Sequence, residues 1–290
     1  MTTRRRLVPY WLLAPGAIWL LIFFVVPMYF MGKLSLYSGV SFNTGFNSAF
    51  ELSNYSDAIS GNEEQLVRSF VYAGTASLIA LLIAYPLAYA IALRAGRFKL
   101  LLLFAVVAPF FTTYLIRTIA WKSILADESF VVDVLKTLAI VPDDGRVLAT
   151  PAAVIAGITY NFLPFMILPI YASLERMDTS LIEAGKDLYG SSAQTFWRVT
   201  LPITMPGVVA GVLLTFIPAV GDYINAEILG GTGTSMIGNV IQSLYLEQRL
   251  YPEAAALSFV MMAAILAVVL IYLRVAGTGA FMGDEDERRA

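Results

Sequence analysis

The fold class this sequence predicts is an all-α polytopic membrane protein with six transmembrane helices, and three observations predict it. Hydrophobic residues make up 58% of the 290-residue chain and the mean hydropathy is +0.73, far above what a water-soluble core requires. Apolar runs of span length recur six times, separated by polar segments. The short loop after the second run carries Arg94, Arg97 and Lys99, the positive charge that marks cytoplasmic loops. The composition also excludes function classes. The chain has no histidine and no cysteine, which removes Ser-His-Asp and Cys-His catalysis, His/Cys metal sites and disulfides together. No Gly-x-x-x-x-Gly-Lys-Ser/Thr loop occurs, so no P-loop for ATP is present. A net charge of −2 offers nucleic acid no electrostatic footing.

Taken in order, Arg4, Arg5 and Arg6 precede an apolar run from about Pro9 to Met31. A basic start before such a run also describes a signal peptide. The run has full span length and no small-x-small cleavage pattern follows, so a retained helix with a cytoplasmic N-terminus is expected. Lys33 to Val67, with Gly39, Gly45 and Gly61, reads as a polar external segment anchored by Phe46, Phe50, Tyr55 and Ile59. The second span is Ser69 to Leu93, kinked by Pro86. The third runs from Leu100 to about Trp121, which puts Arg117 and Trp121 at the outer interface, the arginine snorkelling, with a pathway residue as its alternative role. Ser123 to Thr150 is external, with Val131, Val134, Leu135 and Leu138 forming an amphipathic turn or two. The fourth span, Pro151 to Leu174, is interrupted by Tyr160, Asn161, Pro164 and Pro169. The fifth opens at Pro206 and reaches Val220, with Gly207 and Gly211 as a small-residue pair. Gly221 to Pro252 is external, and Gly230, Gly231 and Gly233 read as a re-entrant or mobile loop rather than a phosphate cradle. The sixth span starts near Ala254 and ends by Val275, and a mixed-charge tail from Asp284 to Arg289 is expected to be disordered.

One polar segment, Asp178 to Pro202, stands between the fourth and fifth spans, too polar to cross a bilayer and too patterned for a slack loop. Asp178 is a natural N-cap, with Ser180 and Glu183 as an alternative capping box. Leu181, Ala184, Gly185 and Leu188 fall at i, i+3, i+4 and i+7, one apolar stripe on a short helix. Glu183 and Lys186 are spaced to pair. Gly190 ends the helix, and a second short helix from Ser191 or Ser192 is expected to stop at Pro202. A helix–glycine–helix hung between two spans is a docking element.

This segment resembles the EAA loop of binding-protein-dependent ABC importer permeases, whose pattern is Glu-Ala-Ala, a glycine three residues later, nine residues, then Ile-x-Leu-Pro. Glu183, Ala184, Val199, Leu201 and Pro202 occupy matching positions, whereas Gly185 replaces the third triplet residue and Tyr189 stands where the glycine belongs, with Gly190 one later. The likeness extends over about residues 67 to 275, which resemble the five-helix core of type I importer permeases. Three stretches, PFFTTYLIRTIAW from Pro109, QTFWRVTLPITMPGVVAG from Gln194 and IGNVIQ from Ile237, are similar to spermidine/putrescine permeases.

The resemblance implies a type I ABC importer permease fold. Residues 1–66 would form an accessory helix and external segment, 67–275 the core with its cytoplasmic coupling loop at about 175–203, and 276–290 a cytoplasmic tail. It implies a bacterial inner-membrane location, and six spans with the basic N-terminus and basic loop inside put both termini in the cytoplasm. It implies as partners a second permease subunit in a heterodimer, a dimer of ATPase subunits that would bind ATP and Mg, and an extracytoplasmic substrate-binding protein. This chain itself would bind no cofactor and catalyse no reaction. Leu181, Glu183, Ala184, Gly185, Leu188 and Gly190 would form the coupling helix in a cleft of the ATPase. A polyamine cargo is cationic, so carboxylates and aromatic faces should line its route. Asp222 and Glu227, at or just beyond the end of the fifth span, are candidates, with Tyr160, Asn161, Tyr114 and Tyr223 as polar-aromatic alternatives. A permease for another small solute, or a self-sufficient carrier or channel, is the alternative. The carrier would favour inverted repeats and intramembrane acid–base chains, and neither is evident here.

Overall fold

The computed structural model describes residues 3–38 and 50–276. Gly39, Gly45, Phe46 and the tail from Asp284 to Arg289 lie outside the described residues. The described chain is almost wholly helical. Five of its helices are long and apolar enough to cross a membrane, or six spans result if a pair of helices bent through 96° counts as one. The chain divides into two compact units, residues 1–63 with 240–263, and residues 64–239 with 264–290.

In the first unit, α1 (Thr3–Leu20) continues through a π-helical turn, Leu21–Val25, into α2 (Val26–Leu34). Its apolar side chains, Trp19, Phe23, Phe24 and Phe30 among them, are exposed all round, as a helix solvated by lipid or a partner requires. The segment after α2, read as external from the sequence, is tied down by hydrogen bonds. The Ser35 hydroxyl bonds to the Gly32 carbonyl at 2.7 Å and to the Tyr55 hydroxyl at 2.6 Å, and Asn54 Nδ2 donates to the Ser35 and Tyr37 carbonyls. Asn54 and Tyr55 sit on α3 (Ser53–Ser60). Tyr55 therefore anchors as expected. Phe50, at 78% exposure, and Ile59 do not, because the tie is polar rather than apolar.

In the second unit, α4 (Glu63–Leu93) continues unbroken through Pro86. Its inner face is a ladder of small residues, Ala80, Ala84 and Ala88, that admits close approach of Met166, Ile167, Ile170 and Leu174. A 3₁₀ turn, Gly96–Phe98, leads to α5 (Lys99–Val107), and Lys99 Nζ meets Glu175 Oε1 at 2.6 Å. The third span is not the straight helix the apolar run predicts. A 3₁₀ turn, Ala108–Phe111, and two extended residues, Thr112 and Thr113, turn the chain by 96° before α6 (Tyr114–Ile124). Pro109 removes a helical donor, and β-branched threonines tolerate the extended backbone well. The helix α7 (Phe130–Thr137) is capped by the Ser129 hydroxyl, which accepts from Val132 N at 3.2 Å.

α8 (Pro151–Arg176) opens with Thr150 as N-cap and Pro151 in its first turn, an arrangement that wastes no donor. Beyond it lie α9 (Ser180–Tyr189) and α10 (Ser192–Thr195). The second helix of this segment does not stop at Pro202, where the sequence predicts its end. It passes through a π-helical turn, Phe196–Thr200, into α11 (Leu201–Val220), giving one 29-residue run from Ser192 to Val220. The widened turn relieves the clash between Pro202 and the carbonyl four residues back that would break a tighter helix. Gly207 and Gly211 form a true packing pair on α8. A Cβ at Gly207 would lie 2.6 Å from the Pro169 carbonyl oxygen, and one at Gly211 3.0 Å from that of Met166.

After α11 come α12 (Ile224–Leu229), α13 (Ile237–Gln242), a π-helical turn, Ser243–Glu247, and α14 (Tyr251–Ala276). Within the glycine-rich stretch Gly230 and Gly231 are packed, whereas Gly233 is exposed. The Gly231 N–H donates to Thr234 Oγ1 at 2.7 Å, and a Cβ at Gly230 would lie 2.3 Å from the Ala226 carbonyl oxygen.

Candidate functional site

Two sites follow from this fold. The first is the α9–α10 elbow. The Ser180 N–H donates to Asp178 Oδ1 at 2.9 Å, and that bond holds the Asp178 carboxyl below the usual carboxylate range. Gly190 takes the left-handed conformation, φ +67°, and its N–H closes on the Lys186 carbonyl at 2.7 Å. Ser191 then caps α10, its hydroxyl accepting from Gln194 N. No ion pair joins Glu183 and Lys186 among the described residues.

The predicted stripe divides between two faces. Gly185 is buried against α10 and the π-helical turn, where a Cβ would lie 2.8 Å from Thr195 Cγ2 and 3.2 Å from Val199 Cγ2. Its neighbour Ile182 packs with Phe196 against the Ala84–Ile170 core. Leu181, Glu183, Ala184 and Leu188 point away from the chain, Leu188 at 75% exposure. One face of the elbow is keyed into the helix bundle and the other is exposed.

The second site is a buried polar network between α6, α8 and α12. The Tyr114 hydroxyl donates to Asp222 Oδ2 at 2.6 Å and accepts from Asn225 Nδ2 at 2.6 Å. Asp222 Oδ1 accepts from the Ile224 and Asn225 N–H groups at 3.0 and 3.2 Å, and so caps α12. Asn161 Nδ2 donates to Thr118 Oγ1 and to Asn225 Oδ1, each at 3.2 Å. Asp222 is only 7% exposed. Burial pushes its carboxyl above the usual range, against four donors that favour the carboxylate.

Around the network stand aromatic rings. Tyr114 is 6.1 Å from Phe162, Phe162 is 6.2 Å from Phe165, and Phe165 is 5.2 Å from Phe110. Arg117, expected to snorkel outward, is instead buried, its guanidinium 5.4 Å from the Phe110 ring and 5.7 Å from that of Tyr114. The bend at Thr112–Thr113 turns α6 against α8 and α12, and that turn carries Arg117 inward.

Three of the six candidate pathway residues, Tyr114, Asn161 and Asp222, therefore meet. The other three do not join them. Glu227 and Tyr223 are exposed, with Asn239 Nδ2 donating to Glu227 Oε2 at 3.1 Å and to the Tyr223 carbonyl at 3.0 Å. Tyr160 packs on Trp121 at 5.3 Å along an apolar groove of about 460 Å³ that also involves Ile79 and Leu163. Thr118 and Asn225 were not legible as members. Their one signal is spacing, four residues after Tyr114 and three after Asp222.

Five or six helices able to cross a membrane, a polar elbow between two of them and a buried carboxylate bonded to a tyrosine hydroxyl fit a membrane transport subunit. Residues 8–277 match the family model of binding-protein-dependent transport system inner membrane components, and the chain belongs to that family. It is 37% identical over 262 residues to the spermidine/putrescine transport system permease protein PotB of Haemophilus influenzae, covering 88% of this chain and 90% of that protein. To PotB of Escherichia coli K12 it is 38% identical over 211 residues, 73% of this chain and 77% of that one. To the inner membrane ABC transporter permease protein YdcU of Escherichia coli K12 it is 32% identical, over 76% of this chain and 73% of that protein. Its fold is similar to that of a bacterial ABC transporter involved in the import of alginate, with a TM-score of 0.66 at 19% identity over 94% of this chain and 96% of that one. The chain is a multi-pass inner-membrane permease subunit of an ABC importer, a transport component rather than an enzyme.

Proposed function

We propose that this permease imports polyamines such as spermidine and putrescine, or closely related small organic cations. The observation that carries the reading is the Asp222 carboxylate, buried beside aromatic rings and held by Tyr114 and Asn225. A negative charge in a partly desolvated aromatic setting attracts an ammonium far more strongly than it attracts a neutral solute. The names of the relatives point to the same cargo. Along the route, Glu227 and Tyr223 receive the cation at the outer end, Asp222, Tyr114 and Asn161 act deeper, and Tyr160 flanks the passage.

Both termini lie in the cytoplasm, which places the α9–α10 elbow inside the cell, with Leu181, Glu183, Ala184 and Leu188 seated in a cleft of an ATPase subunit. Gly185 and Gly190 shape that lever from within. Two ATPase copies bind ATP and Mg and drive the stroke, this chain pairs with a different permease subunit, and an extracytoplasmic binding protein delivers the cargo. ATP binding closes the ATPase pair, the elbow moves with it, and the span bundle rocks to expose the route outward.

The test is uptake of labelled spermidine and putrescine by proteoliposomes holding the full complex with its binding protein and ATP. ATP-dependent polyamine uptake that excess unlabelled polyamine suppresses is the expected result. Vigorous ATP-dependent uptake of a neutral or anionic solute, with none of polyamine, would overturn the cargo assignment.

A further inference from the structure

Arg117 is the one cation of α6 that the fold buries, and its surroundings are unusual for a guanidinium. It is 7% exposed, its Nε has no hydrogen-bond partner, and no carboxylate lies within ion-pair distance of it among the described residues. A guanidinium carries five donors, and burying it without a carboxylate is costly. What it has instead are two ring faces, Phe110 and Tyr114. Those rings open a chain of aromatics that continues through Phe165 and Phe162. Tyr114 serves both charges, with its ring beneath Arg117 and its hydroxyl donating to Asp222. Aromatic faces beside a carboxylate are the setting that recognises an ammonium or guanidinium ligand. A side chain of that chemistry already fills it.

We propose that Arg117 is a tethered stand-in for the cargo, occupying the Phe110–Tyr114 cradle while the route is empty and leaving it when a cationic ligand enters. The inference rests on the cationic cargo assigned above. A resident cation has two physical consequences. It fills the cradle, so that the two aromatic faces are not left to passing inorganic cations. It also makes cargo entry an exchange of one cation for another, which weakens cargo binding by the strength of the Arg117–ring contact and eases release. The geometry suits the exchange. Arg117 sits one turn beyond the Thr112–Thr113 bend, and Phe110, on the near side of it, is 45% exposed, so the cradle straddles the break in the span.

The experiment measures ligand binding to the assembled importer in detergent, without the binding protein, by calorimetry and by thermal shift. Arg117→Gln removes the tethered cation and keeps most of the side chain's bulk. Spermidine should bind this variant about twofold to thirtyfold more tightly than wild type, the range a cation–π contact spans. Arg117→Lys, which keeps a tethered cation, should not gain. Arg117→Ala should in addition be stabilised by millimolar methylguanidinium, a free copy of the missing group, where wild type is not, and adding Phe110→Leu should abolish that rescue. Where spermidine binding is measurable, assembled Arg117→Gln that binds it no more tightly than wild type would overturn the proposal, as would Arg117→Ala that ignores methylguanidinium. Rescue by methylguanidinium with no spermidine binding by any variant would uphold the tethered-cation cradle and overturn the polyamine reading.

Discussion

Gly185→Ala is the most informative single substitution, because it would restore the family's third triplet residue in a chain packed to exclude it. Gly185 is buried on the inner face of α9. The added methyl would lie 2.8 Å from Thr195 Cγ2 and 3.2 Å from Val199 Cγ2. Both neighbours are β-branched and stiff at χ1, so the first contact is relieved by moving α9 outward by a few tenths of an ångström rather than by a rotamer change. Overpacking of this kind costs about 1–3 kcal/mol. Replacing a mid-helix glycine returns about 0.5–1 kcal/mol. The net is a loss of about 0–2.5 kcal/mol confined to the elbow, too little to prevent insertion and enough to displace the outward face that carries Leu181, Ala184 and Leu188. In reconstituted complexes, Gly185→Ala should lower solute transported per ATP hydrolysed while assembly is retained. Thr195→Ser deletes Cγ2 and keeps the hydroxyl that bonds to the Ser191 carbonyl at 3.0 Å. The double variant should therefore regain coupling. If Thr195→Ser fails to restore it, or if Gly185→Ala couples like wild type, the keyed-lever account of this loop is wrong.

On the free face of the same helix, Ala184→Trp and Glu183→Arg should abolish coupling with no loss of folding stability, read as uptake against ATPase rate alongside a thermal melt. A fall in melting temperature would mean that these side chains pack internally. In the buried network, Tyr114→Phe leaves Asp222 short of one donor and should destabilise the permease by about 1–3 kcal/mol, measured as a shift in thermal or denaturant unfolding in detergent. Asp222→Asn should raise the polyamine concentration needed for half-maximal uptake at low salt and have less effect at high ionic strength, whereas a salt-independent effect would argue for a purely structural carboxylate. For topology, cysteines placed at Gly96 and Ser191 should be shielded from an impermeant external thiol reagent and those at Ser56 and Thr232 should label. The native chain has no cysteine to confuse the result.

Local chemistry was legible from residues alone. Apolar runs long enough to span a bilayer, the Gly190 stop, the Ser191 start and the polar segment between the fourth and fifth spans depend on composition and on neighbours within one helical turn, and each lies where the sequence puts it. The Gly207–Gly211 pair was legible as a possibility. It became a packing surface because the α8 carbonyls of Pro169 and Met166 face it.

What only the tertiary structure decided concerns direction and burial. A run such as LLLLFAVVAPFFTTYLIRTIAW has the hydropathy of a straight span, and the 96° turn at Thr112–Thr113 follows from how α6 settles against α8 and α12. That turn carries Arg117 onto Phe110 and Tyr114 instead of out to the interface, and it brings Thr118 beside Asn161 and Asn225. Pro202 reads as a stop, yet a π-helical turn upstream lets the helix pass through it. Helical periodicity assigns Leu181, Ala184, Gly185 and Leu188 to one face, but it cannot say that Gly185 belongs to the edge that Thr195 and Val199 cover. Hydropathy and spacing report energies summed over a segment and its nearest neighbours, whereas a bend, a buried charge or a covered edge depends on which distant element packs opposite.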